Sequence, residues 1–372
     1  MRVVLDARVA TDHFPGIGRV ALELGRTMAR LATASGDEVR FLVPPGFARG
    51  AGRLPEGQTI ECDASPFSPA QHVTVPRLLE RAGADVYHSL FYLMPWWPGR
   101  PTVLTCMDAI PLVRPETQPA WKRAAFALAH RVALARAEQV IAISESTRRD
   151  LGAFLGADVT RVRVVPLAAD ERFEPPAAGV VAALRERLAL PRSYLLYVGS
   201  NKPHKNLVRL VAAFARIAAA RPGLDLVVAG PWDARYPEAR AEALARGLGE
   251  RVRFLGPIAD SELPALLGGA VGFAFPSLYE GFGLPVLEAM RTGTAVVASA
   301  TSSLPEVVAD AGLLVDPLDV EAIAAGLARL ADDEALRAEL SRRGRERALS
   351  FTWERAARAH LDADRAALEA RR

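Results

Sequence analysis

The sequence predicts an α/β protein built from two doubly wound, parallel-sheet domains, and three observations carry that prediction. Short apolar strands alternate with helix-period segments along the whole chain, the pattern of parallel sheets covered on both faces. The alternation starts afresh near the middle, around the proline- and glycine-bearing stretch ERFEPPAAG at 171–179, which reads as a linker. With 372 residues, 50% of them apolar and 24% charged, the chain has material for two sizeable cores.

In chain order, the first half predicts strands at 2–7, 38–43, 85–89, 102–107, 139–144 and 162–165, with helices at 18–33, 118–136 and 145–155. Runs such as RVVLDA and TVLTCM are apolar almost without alternation, so both of their faces need cover. The second half predicts strands at 194–199, 225–230, 252–256, 270–277, 294–299 and 312–316, and helices at 204–220, 236–247, 261–268, 284–292 and 319–331. The closing stretch 333–370 is polar and helical with no strand after it. The expected domains are 1–172 and 173–351, leaving 352–372 as a terminal helix. Ligands of such sheets bind at the carboxyl ends of the strands. Two such domains facing each other would make a cleft, and the loops that follow strands are the informative ones.

Charge and cysteine content exclude several classes. The net charge is +3, with 20 basic against 17 acidic residues up to Asp170 and 26 against 26 beyond it. No charged tail exists, which argues against nucleic acid as the main partner. Cys62 and Cys106 are too few for a disulfide framework and lack metal-ligand spacing. The N-terminus, MRVVLDARVA, reaches Asp6 and Arg8 too soon for a signal-peptide core. No run of about 18 apolar residues is present to span a membrane. The expectation is a reduced, cytoplasmic protein.

Three loops carry chemistry. FPGIGRVALELG (14–25) places Gly16 and Gly18 before a helical run, where backbone N–H groups face an anion or where glycine simply turns the chain. The spacing is not G-x-G-x-x-G, and no acidic ribose reader follows a second strand, which disfavours a dinucleotide oxidoreductase. GSNKPHKN (199–206) holds Lys202 and Lys205, two of only three lysines beside 43 arginines. Pro203 suits a first helical turn, and Lys205 within that turn opposes the helix dipole unless an anion sits there. Its compact ammonium suits phosphate. A solvated surface lysine is the bland alternative. FPSLYEGFGLPVLEAM (275–290) is the strongest of the three. Glu280, Gly281, Phe282 and Gly283 form a loop, Leu284 and Pro285 open a helix, and Glu288 lies one turn inside it. The glycines let backbone amides approach a ligand, and carboxylates suit sugar and ribose hydroxyls.

At E-G-F-G-L-P-V-L-E (280–288), with its two glutamates separated by seven residues, the chain resembles the retaining GT-B glycosyltransferases of group 1. The resemblance runs through LDAR, GIGRVALEL, DVYHS, PTVLTCMDAIPL, VIAISESTRRDL, YLLYVGSNKPHKNL and VRFLGPIADSEL to SFTWERAARAHL, so it covers nearly the whole chain. It implies a GT-B fold of two facing Rossmann-like domains, acceptor side first and nucleotide-sugar side second, with a C-terminal helix packed back on the first. It implies Glu288 on the donor ribose, Glu280 by the donor sugar's far hydroxyls, and amides of Gly281 to Leu284 on the sugar and diphosphate. Gly16 and Gly18 would lie nearby, Lys205 would neutralise the leaving diphosphate, and Gly256, Pro257 and Ile258 would cradle the base. It implies no cofactor, no metal ion, a nucleotide diphosphate sugar as donor, and a glycan or lipid-linked acceptor.

Two positions depart from the resemblance. Ser200 stands where many members carry arginine, so Lys202 is expected to supply the second cation. Met107 stands where the family often has histidine before an aspartate, here Asp108. Either the role is dispensable, or His88 or Asp108 fills it, or activity is lost; a strand-end cap is the bland reading of Asp108. GIGR and PHKN look most like mannosyl and rhamnosyl transferases of bacterial surface polysaccharides, which favours GDP-mannose. An inactive GT-B protein that binds sugar nucleotide or a working transferase is the alternative. Finally, WKRAAFALAHRVALARA (121–137) reads either as contact with an anionic inner-membrane surface or, preferably, as a sheet-packed helix with a basic outer face.

Overall fold

Apolar runs that lack alternation become strands buried on both faces. In this computed structural model, which describes residues 1–11, 15–47, 54 and 57–371, they assemble into two parallel sheets. Each sheet belongs to its own compact unit, Met1–Leu167 with Thr352–Arg372, and Ala168–Phe351.

The first unit holds β1 (Arg2–Asp6), β2 (Glu38–Val43), β3 (Thr59–Glu61), β4 (Val86–Ser89), β5 (Thr102–Cys106), β6 (Gln139–Ala142) and β7 (Val162–Val164). Their order is β3-β2-β1-β4-β5-β6-β7. β3 was not expected: its three residues, TIE, are too few and too exposed to show a pattern. The helix Gln71–Arg81 was also missed, because Pro76 inside it reads as a breaker. The LDAR segment closes β1 with a buried ion pair. The Arg8 guanidinium meets the Asp6 carboxylate at 2.6 Å, and the Tyr87 hydroxyl donates to the same carboxylate at 2.5 Å. Arg8 also donates to the Ala64 carbonyl at 2.8 Å, so the loop after β1 is pinned from two sides.

The C-terminal helix Trp353–Glu369 belongs to this first unit. Thr352 caps it by accepting from the Arg355 N–H at 3.2 Å. Its buried face, including Trp353, Ala356, Ala357, His360, Leu361 and Asp364, recurs at helical spacing. That face packs on the helix Pro15–Ala34 and on β4, β5 and β6. Buried His88 of β4 bonds the Asp364 carboxylate at 2.8 Å and the Thr105 hydroxyl at 2.9 Å, and it stacks on His360.

The second unit opens with the helix Ala178–Arg187, which begins inside the stretch expected to be linker. Its strands are β8 (Ser193–Val198), β9 (Leu224–Ala229), β10 (Val252–Gly256), β11 (Gly272–Phe275), β12 (Val296–Ser299) and β13 (Leu313–Val315), in the order β10-β9-β8-β11-β12-β13. The order reverses between β8 and β11, and a crevice for ligands opens outside the carboxyl ends at such a point. The helix Leu207–Ala218 covers one face through buried Leu207, Leu210, Val211, Phe214 and Ile217. Each large side chain of that kind contributes about 1.5–3 kcal/mol of burial free energy.

Candidate active site

The loops after β8 and β11 flank the reversal, and they hold the residues the sequence marks. Lys205 does not stand in the first turn of an α-helix, as expected. Pro203–Lys205 is a separate 3-10 turn, Asn206 follows with φ +62°, and the helix starts at Leu207. The left-handed residue breaks what periodicity alone reads as one helix from 204. Asn206 is held there because its buried amide donates to the carbonyls of Pro276 (2.9 Å) and Pro317 (2.7 Å), joining the loops after β8, β11 and β13.

From this turn the Lys205 ammonium reaches both carboxylate oxygens of Glu280, at 2.7 and 2.9 Å. It also lies 5.4 Å from the centre of the Phe275 ring. The two side chains are 17% and 10% exposed, so the pair is largely but not wholly desolvated. The carboxylate takes two of the three ammonium hydrogens and leaves the third for another acceptor. Burial, and then the Glu280 charge, hold the neighbouring Tyr197 phenol well above its ordinary pKa.

The acid loop is equally fixed. The Glu280 N–H donates to the Ser302 hydroxyl at 3.0 Å, and the Ser303 hydroxyl donates to the carbonyls of Glu280 (3.0 Å) and Phe282 (2.8 Å). Gly283 precedes the helix Leu284–Thr292 at φ +107°, and a Cβ there would come within 2.5 Å of Leu304. Only glycine meets both demands. Gly281 and Phe282 are buried, Leu284 is half-buried at the helix start, and Glu288 is buried on that helix.

The remaining residues of this unit sit at neighbouring strand ends. Lys202 is exposed, while Gly256 and Ile258 are half-buried at and after the end of β10. Asn201, which the sequence reading passed over, locks the lysine loop to the loop after β9. Its amide donates to the carbonyls of Asp233 (2.8 Å) and Tyr236 (2.7 Å) and accepts from the Asp233 N–H at 2.7 Å. Buried asparagines and serines in loops that follow strands were the available signal.

In the first unit, Gly16 is exposed near the start of the helix Pro15–Ala34, while Phe14 of the same motif lies outside the described residues. Gly18 has a packing reason for being glycine, since a Cβ would sit 3.2 Å from the Ala10 Cα. Asp108 accepts from the Ile110 N–H at 2.9 Å, as a strand-end cap does. It also lines a small pocket with Met107, Tyr92, Phe126 and His130. His88 is not available to replace a missing histidine, because it is fully buried and committed to Asp364 and Thr105. His130, overlooked in an alanine-rich helical run, is the imidazole that shares the pocket with Met107.

Two parallel α/β units with these strand orders, and a C-terminal helix returned to the first, define the GT-B fold of glycosyltransferases. Residues 15–173 match glycosyltransferase family 4, and residues 183–347 match the glycosyl transferases group 1. The O-antigen chain mannosyltransferase B of Escherichia coli is 32% identical over 275 residues, covering 72% of this chain and 71% of that protein. The serotype-specific mannosyltransferase WbdA of Escherichia coli is 31% identical over 277 residues, 72% of this chain but only 33% of WbdA. Among solved structures, the sucrose-phosphate synthase of Thermosynechococcus elongatus superposes with a TM-score of 0.79 at 25% identity, covering 100% of both chains. The chain belongs to the glycosyl transferases group 1.

Proposed function

We propose that this glycosyltransferase moves a hexose from a nucleotide diphosphate sugar, with GDP-mannose the favoured donor, to a hydroxyl of a glycan or lipid-linked acceptor in surface-polysaccharide synthesis. The reaction retains the anomeric configuration. The observation that carries the reading is the Lys205–Glu280 pair at the sheet reversal. As the bond from the anomeric carbon to the diphosphate breaks, its electron pair goes to the phosphate oxygen, while the acceptor hydroxyl oxygen bonds to that carbon on the same face and its proton passes to the departing diphosphate. The third hydrogen of the Lys205 ammonium stabilises that charge, and Lys202 adds to the local positive field. Fixed donors of this kind need no reorganisation during the reaction. N–H groups at the start of the helix Leu284–Thr292 favour the same anion. Glu288 takes the ribose hydroxyls and Glu280 the hydroxyls of the hexose, while Gly256 and Ile258 border the base. Gly16 and Gly18 are assigned to the nucleotide sugar and Asp108 to the reacting groups.

The mannose assignment is supported by the two mannosyltransferase relatives. The expected location is the cytoplasm, with peripheral contact at the inner membrane face. Among the described residues no helix is long and apolar enough to cross a membrane. The helix Ala120–Arg136 packs on β5 with a basic outer face, as the preferred reading expects, and its composition also suits the contact. Phe126, His130 and Ala133 are buried, whereas Trp121, Leu128, Lys122, Arg131 and Arg136 are exposed and no acid occurs within it. That mixture suits an anionic surface bearing a lipid-linked acceptor.

Thermal unfolding with GDP, UDP, dTDP and their hexose conjugates, with NAD as control, tests the reading. A ligand at a hundredfold excess over its Kd adds about 2.7 kcal/mol. A rise in Tm with one diphosphate family names the base. No rise with any of them, in a folded sample, overturns the donor assignment and favours an inactive or partner-dependent protein.

A further inference from the structure

At the carboxyl ends of β4 and β5, the pocket that holds Asp108 and His130 has a volume of about 30 Å³. A water-sized group needs about 10–15 Å³ of such space. One hydroxyl or hydroxymethyl arm of a sugar therefore fits.

The polar groups of the pocket suit such an arm. His130 is 2% exposed, stacked on Tyr92 with ring centres 4.1 Å apart, and set against Phe126 at 4.2 Å. Its Nδ1 lies 3.3 Å from the Phe126 carbonyl oxygen. A carbonyl only accepts, so Nδ1 carries the hydrogen. Burial pushes the ring down to about 3, which keeps it neutral and leaves Nε2 as an acceptor. Tyr92 is complementary. Burial, and then the Asp108 charge, push its phenol up to about 12, so it remains an O–H donor. A sugar hydroxyl both donates and accepts, which matches one acceptor and one donor. An ionised phosphate oxygen only accepts, and its charge would meet that of the Asp108 carboxylate.

We infer that His130 and Tyr92 form a subsite for a single hydroxyl-bearing arm of a sugar, His130 Nε2 accepting from that hydroxyl and the Tyr92 hydroxyl donating to it. The hexose as ligand class rests on the proposed glycosyl transfer, and two sources supply it: the donor's sugar or the acceptor glycan.

Calorimetric titration of the full chain with GDP, GDP-mannose and methyl α-mannoside, the last with and without GDP, tests the subsite in wild type, His130→Phe, His130→Gln and Tyr92→Phe. Phenylalanine at 130 keeps the ring stack and removes the acceptor, while glutamine returns an acceptor oxygen. One sugar-bearing ligand should lose about 3- to 10-fold in affinity in His130→Phe and Tyr92→Phe, the scale of one hydrogen bond, with GDP unchanged. Glutamine should recover most of it. Loss confined to methyl α-mannoside identifies the acceptor sugar, and loss in GDP-mannose relative to GDP identifies the donor's. Unchanged sugar affinity in folded His130→Phe, equal loss with glutamine, or no sugar binding by the wild type overturns the subsite. Failure of GDP to bind the wild type refutes the nucleotide-sugar reading separately, because methyl α-mannoside is also titrated alone.

Discussion

Replacing Lys205 by alanine is expected to lower turnover about 100-fold or more while leaving a folded protein. Two effects must be separated. The first is loss of a fixed cation where negative charge develops, worth about 2.7–4 kcal/mol by analogy with a single oxyanion contact. The second is the stranding of Glu280, whose two oxygens lose a partner at 2.7 and 2.9 Å. Breaking a fully buried pair costs about 3–5 kcal/mol, whereas exposed pairs are worth about 1 kcal/mol or less. With side chains 17% and 10% exposed, this pair lies between those limits. A loss of about 2 kcal/mol corresponds to about 4–8 °C in Tm for a unit of this size. Nucleotide release from the donor is assayed beside scanning calorimetry in Lys205→Ala, in Glu280→Gln and in the double variant. Neutralising Glu280 in the double variant should recover stability but not turnover. Near-normal turnover in folded Lys205→Ala refutes the role. Recovery of turnover in the double variant would trace the loss to the stranded carboxylate instead.

Four further outcomes are expected. Glu288→Ala should weaken sugar-nucleotide binding about 10-fold or more, the scale of a charged hydrogen bond; unchanged donor affinity by calorimetry removes its ribose role. Asn201→Ala loses all three bonds to the 233–236 loop, which should cost about 1–3 kcal/mol and weaken nucleotide binding as the lysine loop loosens; an unchanged Tm and Kd would show that the loop holds itself. Met107→His, at a half-buried pocket wall, should be tolerated or raise the rate; severe loss of turnover in folded protein would show that the methionine is needed for shape. His130 and His360 are pushed by burial from 6.5 down to about 3, so between those values the unfolded chain binds more protons and stability falls with falling pH. The slope is about 1.4 kcal/mol per pH unit for each histidine, so Tm should be lower at pH 5 than at pH 7, and His130→Phe should narrow that gap.

Strands, the doubly wound class and the helical character of 333–370 were legible because local apolar runs and helical periods are properties of neighbouring residues, whereas the return of the last helix to the first unit came only from the family resemblance. The misses share a cause. β3 is three residues at a sheet edge, Pro76 disguises the helix Gln71–Arg81, and a single left-handed Asn206 separates Lys205 from the helix it was expected to join. Each depends on support from elsewhere in the fold, such as the carbonyls of Pro276 and Pro317 that hold Asn206.

The sequence by itself determined that Lys205, Glu280 and Glu288 follow strands of a parallel sheet, since strand pattern and side-chain chemistry are both written locally. Only the tertiary structure decided which groups meet. Lys205 pairs with Glu280 across 75 residues because β8 and β11 are neighbours in the sheet. His88 is consumed by Asp364 across 276 residues, while His130 lines the pocket beside Asp108. Strand order chooses these partners, and spacing along the chain carries no record of it.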